Sequence, residues 1–420
     1  MVIEGIKEQH NCRVCRGKLK TVLDFGNIFP SGFSTKDKLP SEKAKAPLEL
    51  AKCIDCGLAQ LKHTIDMDLM YRQYWYSSSL NKSMISSLKE IVVEIEQRVS
   101  LTAEDTVIDI GCNDGTMLNL YSKPGFKIGY DPALNLKRPD GIYFINDYFS
   151  KEAYFDTYGH TKAKVITAIA MFYDLPDPIS FVKDVAELLS DDGIFVIQFT
   201  DLVSMFKATA FDNICHEHLE YYRLKDIYNI LDRCGLGIID VSYNDVNGGS
   251  IRVTAGHMQS PKVSESVRQA LAYEEEFLSS LSWDDFKKNI DSIVTKVIGF
   301  LRWSKAKGGT THILGASTKG NTFLQVCDIN SSLVEYAAEV NKDKFGLFTI
   351  GSEIEIISEN DSLIKHPNYY LVPVWHFKDS ILRNPKMLDY MKSGGTLVFP
   401  LPEFTIYSWA FDNKITETRI

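Results

Sequence analysis

The segment Cys215-His216-Glu217-His218 is the densest cluster of titratable side chains in the chain. It falls between a strand-like run that ends near Phe199 and a helix-like run that begins at Leu224, so it should lie on a loop. Its H-E-H spacing does not place two histidines one helical turn apart, and a catalytic metal is therefore not expected. A histidine titrates near neutral pH and a neighbouring carboxylate orients it, which suits acid–base catalysis. The alternative is a pair of surface histidines flanking a salt-bridging glutamate.

A glycine-containing loop, Asp109-Ile110-Gly111-Cys112-Asn113-Asp114-Gly115, follows an apolar strand-like run and precedes a helix-like one. Asp131 comes twenty positions after Gly111, at the end of a second apolar run, where a carboxylate accepts both hydroxyls of a ribose. The loop is not G-x-G-x-x-G and has no Lys-Ser/Thr pair, so adenosine without phosphates fits better than a dinucleotide or a triphosphate. Its form resembles the S-adenosylmethionine loop of class I methyltransferases. We therefore predict cofactor contacts at Asp109, Gly111, Asn113, Gly115 and Asp131, the alternative being an ordinary strand-to-helix turn.

Four of the eight cysteines form two C-x-x-C pairs, Cys12 with Cys15 and Cys53 with Cys56. Each pair directs two thiolates to one point, and together they provide the four soft ligands that suit tetrahedral Zn²⁺. The site is expected to be structural and to hold the first ~70 residues together, because so small a segment buries little core. A redox disulfide is the alternative, although two separate pairs make it less economical than one metal.

The composition is that of an ordinary soluble globular protein, with 45% hydrophobic and 24% charged residues in 420. A chain of this length should divide into two or three domains. Its net charge of −9 provides no general attraction to phosphate backbones, so nucleic acid is not expected as a partner. No apolar run approaches the ~20 residues of a membrane span and the N-terminus lacks a signal-peptide core, so we predict a cytoplasmic enzyme with no membrane partner.

Strand-like runs alternate with helix-like stretches from about residue 106 to residue 256. The runs are at 106–110, 127–130, 165–168, 193–199 and 237–241, with 251–255 as a further strand. Such alternation is typical of a doubly wound α/β sheet, in which ligands bind at the carboxyl ends of the strands. Residues 171–177 follow the third run and so should lie at that edge.

A second α/β pattern follows a helical connector at about 261–308. Its strand-like runs are at 312–314, 369–374 and 396–400, and a small hydroxyl-rich loop with Ser317, Thr318 and Lys319 follows the first of them. Backbone N–H groups at a helix N-terminus, two hydroxyls and a lysine suit an anion, although a plain turn is the alternative.

The chain as a whole resembles the sugar-nucleotide C-methyltransferases of deoxysugar biosynthesis. The resemblance spans essentially all 420 residues. It rests on the cysteine pairs, the 109–115 loop, H-E-H, Asn247-Gly248-Gly249-Ser250 and Gly315-Ala316-Ser317-Thr318-Lys319-Gly320-Asn321. It implies an α/β protein in three parts: a small N-terminal zinc-binding module (1–70), a central class I S-adenosylmethionine methyltransferase domain with a doubly wound sheet (71–260), and a helical connector with a C-terminal Rossmann-like substrate-binding domain (261–420).

The resemblance also implies a reaction. The substrate would be a 4-keto deoxysugar linked to a nucleoside diphosphate, usually thymidine diphosphate; a base removes the proton from carbon 3, and the enolate takes the methyl group of S-adenosyl-L-methionine. Matched residue by residue, His218 is the general base, Glu217 its partner acid and Tyr76 an aromatic hydroxyl facing the sugar, with His216 as the second candidate base. Substrate contacts are expected at Ser317, Thr318, Lys319 and Asn321, the diphosphate lying at Lys319.

The chain departs from the family at two positions. Cys215 stands where the family commonly has a tyrosine, and Asp174 where it often has a histidine. These departures favour the alternative of an O- or N-methyltransferase of another small molecule on the same scaffold. A different class, an RNA-binding zinc-module protein, is favoured only by a short basic run at Arg13, Arg16, Lys18 and Lys20, and a non-enzymatic scaffold comes last. The sequence leaves the sugar, the nucleotide and the oligomeric state open.

Overall fold

The N-terminal part of the chain forms a small antiparallel sheet. The computed structural model describes residues 5–123, 125–258, 264–410 and 414–419. The strands of this part are β1 (Lys7–Glu8), β2 (Leu19–Ile28), β3 (Phe33–Ser34), β4 (Ala46–Cys53), β5 (Ala59–Leu61) and β6 (His63–Thr64). Strands β2, β4 and β5 pair side by side, so that Leu19 lies opposite Cys53 and the two cysteine knuckles come to the same end of the sheet.

The central part is a doubly wound sheet flanked by helices. Its elements are α1 (Met67–Tyr71), α2 (Lys82–Arg98), β7 (Thr106–Ile110), α3 (Thr116–Asn119), β8 (Phe126–Tyr130), β9 (Tyr143–Ile145), α4 (Lys151–Tyr158), β10 (Ala163–Ile169), α5 (Pro178–Leu188), β11 (Leu189–Phe199), α6 (Leu202–Ala208), β12 (Glu220–Tyr221), α7 (Leu224–Arg233), β13 (Leu236–Asn244) and β14 (Ser250–His257). The strand order is β13-β14-β11-β10-β7-β8-β9, with β14 antiparallel to both of its neighbours. The order reverses between β7 and β10, where open α/β sheets bind ligands.

The C-terminal part repeats this plan with a second sheet. Its elements are α8 (Glu265–Ser279), α9 (Trp283–Ala306), β15 (Thr311–Leu314), α10 (Thr318–Val326), β16 (Tyr336–Glu339), β17 (Phe348–Thr349), β18 (Glu355–Ser358), α11 (Glu359–Lys365), β19 (Tyr369–Leu371), α12 (Lys378–Arg383), α13 (Pro385–Lys392), β20 (Thr396–Phe399), β21 (Thr405–Trp409) and β22 (Ile415–Arg419). Strands β18, β16, β15, β19 and β20 run parallel, and the order reverses between β15 and β19. The predicted α/β fold class, with two doubly wound sheets, is confirmed.

Two short strands join sheets to which they are remote in sequence. Strand β3, from the N-terminal part, pairs with β17 and forms one edge of the C-terminal sheet. Strand β12, from the central part, pairs with β5 and extends the N-terminal sheet. The apolar cores follow the same pattern, because Leu48 and Leu50 share one buried cluster with residues of α9 and β15.

The domain boundaries at residues 70 and 260 stay predictions, and the second falls outside the described residues. Within the ranges that are described, none of the helices is both long enough and apolar enough to cross a membrane.

Candidate functional site

A cavity of about 530 Å³ opens where the two doubly wound sheets face each other. Its walls include the loops after β7, β8 and β10 on one side and the loops after β15 and β19 on the other. Both groups of loops leave the carboxyl ends of parallel strands next to the point where the strand order reverses. The cavity therefore lies where the topology of each sheet predicts a ligand.

The loop after β7 is shaped for close approach to a ligand. Gly111 lines the cavity with a φ of +71°, and a Cβ there would lie only 2.8 Å from Met171 Cγ. Asp109 also lines the cavity and accepts a hydrogen bond of 2.6 Å from Thr167 Oγ1, while burial raises the pKa of its carboxyl to about 7. Gly115, in contrast, does not line the cavity; it caps α3, and a Cβ there would meet the ring of Phe144 at 2.6 Å.

Asp131 follows β8 and presents a fixed, buried carboxylate at the same end of the cavity. Its Oδ2 accepts a hydrogen bond of 2.9 Å from the backbone N–H of Asn113, and its Oδ1 accepts one of 2.9 Å from that of Ala133. Burial raises the pKa of this carboxyl, while the two N–H groups and the nearby Arg138 lower it. The carboxylate is thus oriented by backbone groups before any ligand binds.

Asn113 attaches the aromatic segment 71–79 to the glycine loop. Its side-chain amide donates to the carbonyl of Tyr76 at 3.0 Å, and its Oδ1 accepts from the backbone N–H of Ser78 at 3.0 Å. Asp114 adds a second attachment, since its Oδ2 accepts from Ser77 Oγ at 2.6 Å. Tyr76 lines the cavity, and burial raises the pKa of its phenol to about 12. Asn113 therefore lines the predicted cofactor end mainly through its backbone, because its amide group is already occupied.

His218 is the histidine of the H-E-H segment that lines the cavity. Its Nδ1 lies 2.8 Å from the carbonyl oxygen of Asn213, and its ring packs edge-on to Tyr173 with the centroids 4.4 Å apart. A carbonyl accepts only, so Nδ1 carries the proton and Nε2 keeps its lone pair in the neutral ring. Burial and the charge of Lys319 lower the pKa of His218 to about 3, which keeps the ring neutral.

The other two members of the segment take different positions. His216 does not line the cavity; its Nε2 lies 3.2 Å from the carbonyl oxygen of Ala46 in β4. Glu217 is also outside the lining, but its backbone carbonyl accepts from Tyr71 Oη at 2.9 Å and Tyr71 lines the cavity. Burial raises the pKa of Glu217 to about 7, and its Oε2 is buried without a hydrogen-bond partner among the described residues.

The loop after β15 forms the opposite wall. Ser317, Thr318 and Lys319 line the cavity, and Ser317 caps α10 by accepting from the backbone N–H of Gly320 at 2.9 Å. Asn321 points away from the cavity; its Nδ2 donates to the carbonyl oxygen of Gly32 at 2.6 Å, next to β3. Three of the four predicted substrate residues therefore line the cavity, and the fourth makes a contact outside it.

Many lining residues were not predicted from the sequence as site residues, among them Tyr71, Tyr173, Asp174 and His376. Burial and the charges of Glu217 and Glu220 raise the pKa of Asp174 well above its usual range, and its Oδ1 lacks a hydrogen-bond partner among the described residues. His376 lies in the loop after β19, where burial and Lys319 lower its pKa to about 3. The position of Asp174 just after the third strand could have indicated from the sequence that it lines the site. His376 could not be identified in this way, because its place in the cavity depends on how the second sheet faces the first.

The four paired cysteines converge as expected for a metal site. Cys12 Sγ lies 3.7 Å from Cys56 Sγ, Cys15 Sγ lies 3.4 Å from Cys53 Sγ, and all four sulfurs are within 4.8 Å of one another. None forms a disulfide. Zinc–sulfur bonds of ~2.3 Å in a tetrahedron separate the sulfurs by about 3.8 Å, so the arrangement fits Zn²⁺.

The metal site is physically connected to the loop that carries His218. Gln60 donates to Cys12 Sγ at 3.2 Å and stands opposite Glu220 in the β5–β12 pair. Arg13, next to Cys12, forms a buried ion pair of 3.4 Å with Glu220. The zinc module therefore supports the segment two residues after His218.

Three family models match successive parts of the chain: "Putative zinc binding domain" over residues 12–71, "Methyltransferase domain" over 81–241 and "C-methyltransferase C-terminal domain" over 245–402. The C-methyltransferase NovU of Streptomyces niveus is 29% identical over 410 residues, which cover 94% of this chain and 96% of NovU.

Solved structures resemble parts of the chain. Magnesium protoporphyrin IX methyltransferase (ChlM) from Synechocystis PCC 6803 with bound SAM aligns at 12% identity and a TM-score of 0.30, over 41% of this chain and 78% of ChlM. LepI in complex with SAM aligns at 13% identity and a TM-score of 0.31, over 43% of this chain and 54% of LepI.

The order of the three matched domains agrees with the order of the cysteine site, the glycine loop and the second sheet along the chain. The match to NovU runs through all three of them. The chain is thus an S-adenosylmethionine-dependent methyltransferase that is similar over most of its length to a C-methyltransferase, with a match to a zinc-binding domain in its N-terminal part.

Proposed function

We propose that the enzyme methylates carbon 3 of a 4-keto deoxysugar linked to a nucleoside diphosphate, through base-catalysed enolisation. A carbon atom becomes a nucleophile only after a base removes its proton, whereas an oxygen or nitrogen atom already has a lone pair. A C-methyltransferase therefore needs a neutral base in contact with its substrate.

The observation that carries the proposal is the orientation of His218. Its Nδ1 is held by the carbonyl of Asn213 at 2.8 Å, and its side chain lines a cavity shared by the glycine loop and the loop after β15. Nε2 makes no hydrogen bond to the described part of the protein, so it is free to accept a proton from a substrate. We assign His218 as the general base and Glu217, whose backbone holds Tyr71 beside the cavity, as its partner acid.

The cofactor is assigned to the end of the cavity formed by the central sheet. There, Asp131 is positioned to accept the ribose hydroxyls, Gly111 leaves room for the adenosine, and Asp109 and Asn113 complete the wall. S-adenosylmethionine supplies the methyl group at this end. Gly115 acts indirectly, because it caps α3 rather than lining the cavity.

The substrate is assigned to the opposite end. The loop residues Ser317, Thr318 and Lys319 line that space, and Tyr76 lines the cavity from its attachment to the glycine loop. These residues offer a tyrosine hydroxyl, two aliphatic hydroxyls and an ammonium to a sugar nucleotide. His216 and Asn321 bind backbone carbonyls outside the cavity, so the proposal gives them structural roles.

The experiment is mass spectrometry of products formed from labelled S-adenosylmethionine and a panel of nucleoside-diphosphate 4-ketosugars. Incorporation of one methyl group on carbon, with the proton of carbon 3 lost, is expected. Methylation on oxygen or nitrogen would favour the alternative, an O- or N-methyltransferase. The observation in favour of this alternative is that Cys215 and Asp174 stand where the family commonly has other residues.

A further inference from the structure

Lys319 lines the cavity together with the proposed base and acts on it electrostatically, and its position is unusual for a phosphate ligand. It is the second residue of α10, it lines the cavity together with His218, and its side chain makes no hydrogen bond or ion pair to the described residues. All three N–H donors of the ammonium are therefore available to a ligand in the cavity.

The surroundings of Lys319 are rich in titratable groups from the opposite sheet. Burial lowers the pKa of this ammonium, while three neighbours raise it: Asp212, Cys215 and Asp174. Its charge in turn lowers the pKa of His218 and of His376. Asp212 is held in place by Trp375, whose Nε1 donates to Asp212 Oδ2 at 3.0 Å, and the other carboxyl oxygen is buried without a hydrogen-bond partner among the described residues.

We propose that Lys319 stabilises the enolate oxygen formed when His218 removes the proton, and that it does not bind the diphosphate. The inference rests on the proposed function. In this step His218 Nε2 takes the proton, and the C–H electron pair becomes the C=C bond. The carbonyl π pair moves to the oxygen, which then accepts a hydrogen bond from Lys319 Nζ. No oxidant or additional reactant is required.

The charge distribution favours an enolate over a diphosphate at this position. A diphosphate placed against Lys319 would bring two negative charges to the surroundings of Asp174 and Asp212, where burial already disfavours negative charge and raises the pKa of both carboxyls. An enolate brings one charge, which appears only during the reaction and next to a cation that is already in place. Ser317 and Thr318, at the start of α10, remain for the phosphates.

The same cation acts on both partners of the proton transfer. It weakens the base, because a positive charge nearby disfavours protonated His218. It strengthens the carbon acid, because the enolate gains an opposite charge. Burial and the first effect together keep His218 neutral, and the second makes proton removal feasible, so the two residues act together.

The test is exchange of the carbon-3 proton of a nucleoside-diphosphate 4-ketosugar in deuterated water, with S-adenosylhomocysteine filling the cofactor end. We expect Lys319→Met to slow exchange by about 10²–10³-fold, the size of effect found when one oxyanion donor is removed. Binding of the nucleoside diphosphate alone, measured by calorimetry, should change less than twofold. The matched control is Lys342→Met, which removes an exposed lysine of the same domain and should leave both quantities unchanged.

Three outcomes separate the possibilities. Exchange at the wild-type rate in Lys319→Met overturns the inference, and nucleoside diphosphate binding weakened tenfold with normal exchange returns Lys319 to the diphosphate. If wild-type enzyme exchanges no proton on any ketosugar of the panel, the proposed function fails and this inference fails with it. Should Lys319→Met not fold, as judged by loss of S-adenosylmethionine binding, Lys319→Gln provides the same comparison while keeping a hydrogen-bond donor.

Discussion

The loop after β7 and the loop after β15 occupy the same topological position in two doubly wound sheets, yet they carry opposite charge. The first faces the cavity with Asp109 and, from the next strand, Asp131. The second faces it with two hydroxyls and the ammonium of Lys319. S-adenosylmethionine carries a positive sulfonium, which the acidic wall complements, whereas the ammonium of Lys319 complements the negative charge of the enolate proposed to form on the substrate. The fold supplies the position of a site, and the side chains on the loop decide what binds there.

The largest expected effect comes from removing the metal site that supports the segment carrying His218. Cys53→Ser should lose most of the one zinc ion expected per chain, because it removes one of the four thiolate ligands. Structural zinc sites of four thiolates contribute about 10 kcal/mol or more to folding, so the variant should also be less stable. Metal analysis of the purified variant measures this directly. Hydrogen exchange should also show faster opening of residues 219–221, which pair with β5. Zinc at the wild-type level would exclude Cys53 as a ligand.

The second effect tests the base that the two walls share. His218→Ala should slow both proton exchange and methylation by about 10²–10⁴-fold, as is typical of losing a general base. Binding of S-adenosylmethionine should be nearly unchanged, since the loop after β7 holds it. His216→Ala is the control, because His216 contacts Ala46 outside the cavity. Near-normal turnover of His218→Ala would reject His218 as the base.

The third effect isolates the acidic wall. Asp131→Ala should bind S-adenosylmethionine at least tenfold more weakly, because each charge-assisted hydrogen bond to a ribose hydroxyl contributes about 1.5–3 kcal/mol. Binding of a nucleoside diphosphate should not change, since the proposed function assigns it to the other wall. Calorimetry with both ligands measures the contrast. Equal weakening of both ligands would mean that the two walls are not separate sites.

The smallest effect concerns the N-terminus of α10 in the other wall. Ser317→Ala removes the cap that accepts from Gly320 and should destabilise the protein by about 1 kcal/mol, measured by denaturant unfolding. The Michaelis constant for the sugar nucleotide should rise by a few-fold, while the affinity for S-adenosylmethionine stays the same. An unchanged constant would limit Ser317 to its capping role.

Local patterns in the sequence were sufficient for six strands of the central sheet, for β15, β19 and β20 of the C-terminal sheet, and for the glycine loop and the cysteine pairs, because each depends on neighbours within a few residues. The two histidines of H-E-H could not be distinguished in this way. A turn closed by the N–H of His218 and the carbonyl of Cys215 sends His218 into the cavity, while His216 reaches β4. Asn321 likewise follows the motif of its loop in sequence but contacts Gly32, which is 289 positions away. Long-range pairings of this kind leave no local periodicity in the sequence.

The exchange of β3 and β12 between sheets has a consequence for how the chain is made. During synthesis the N-terminal sheet emerges first, but its β5 edge is paired only when β12 has been translated. Strand β3 can pair only after β17 has been translated, more than 300 residues later. Unpaired strand edges are the places where incomplete chains aggregate. Folding cannot therefore proceed strictly one domain after another, and a fragment cut at residue 70 would keep both of these edges open.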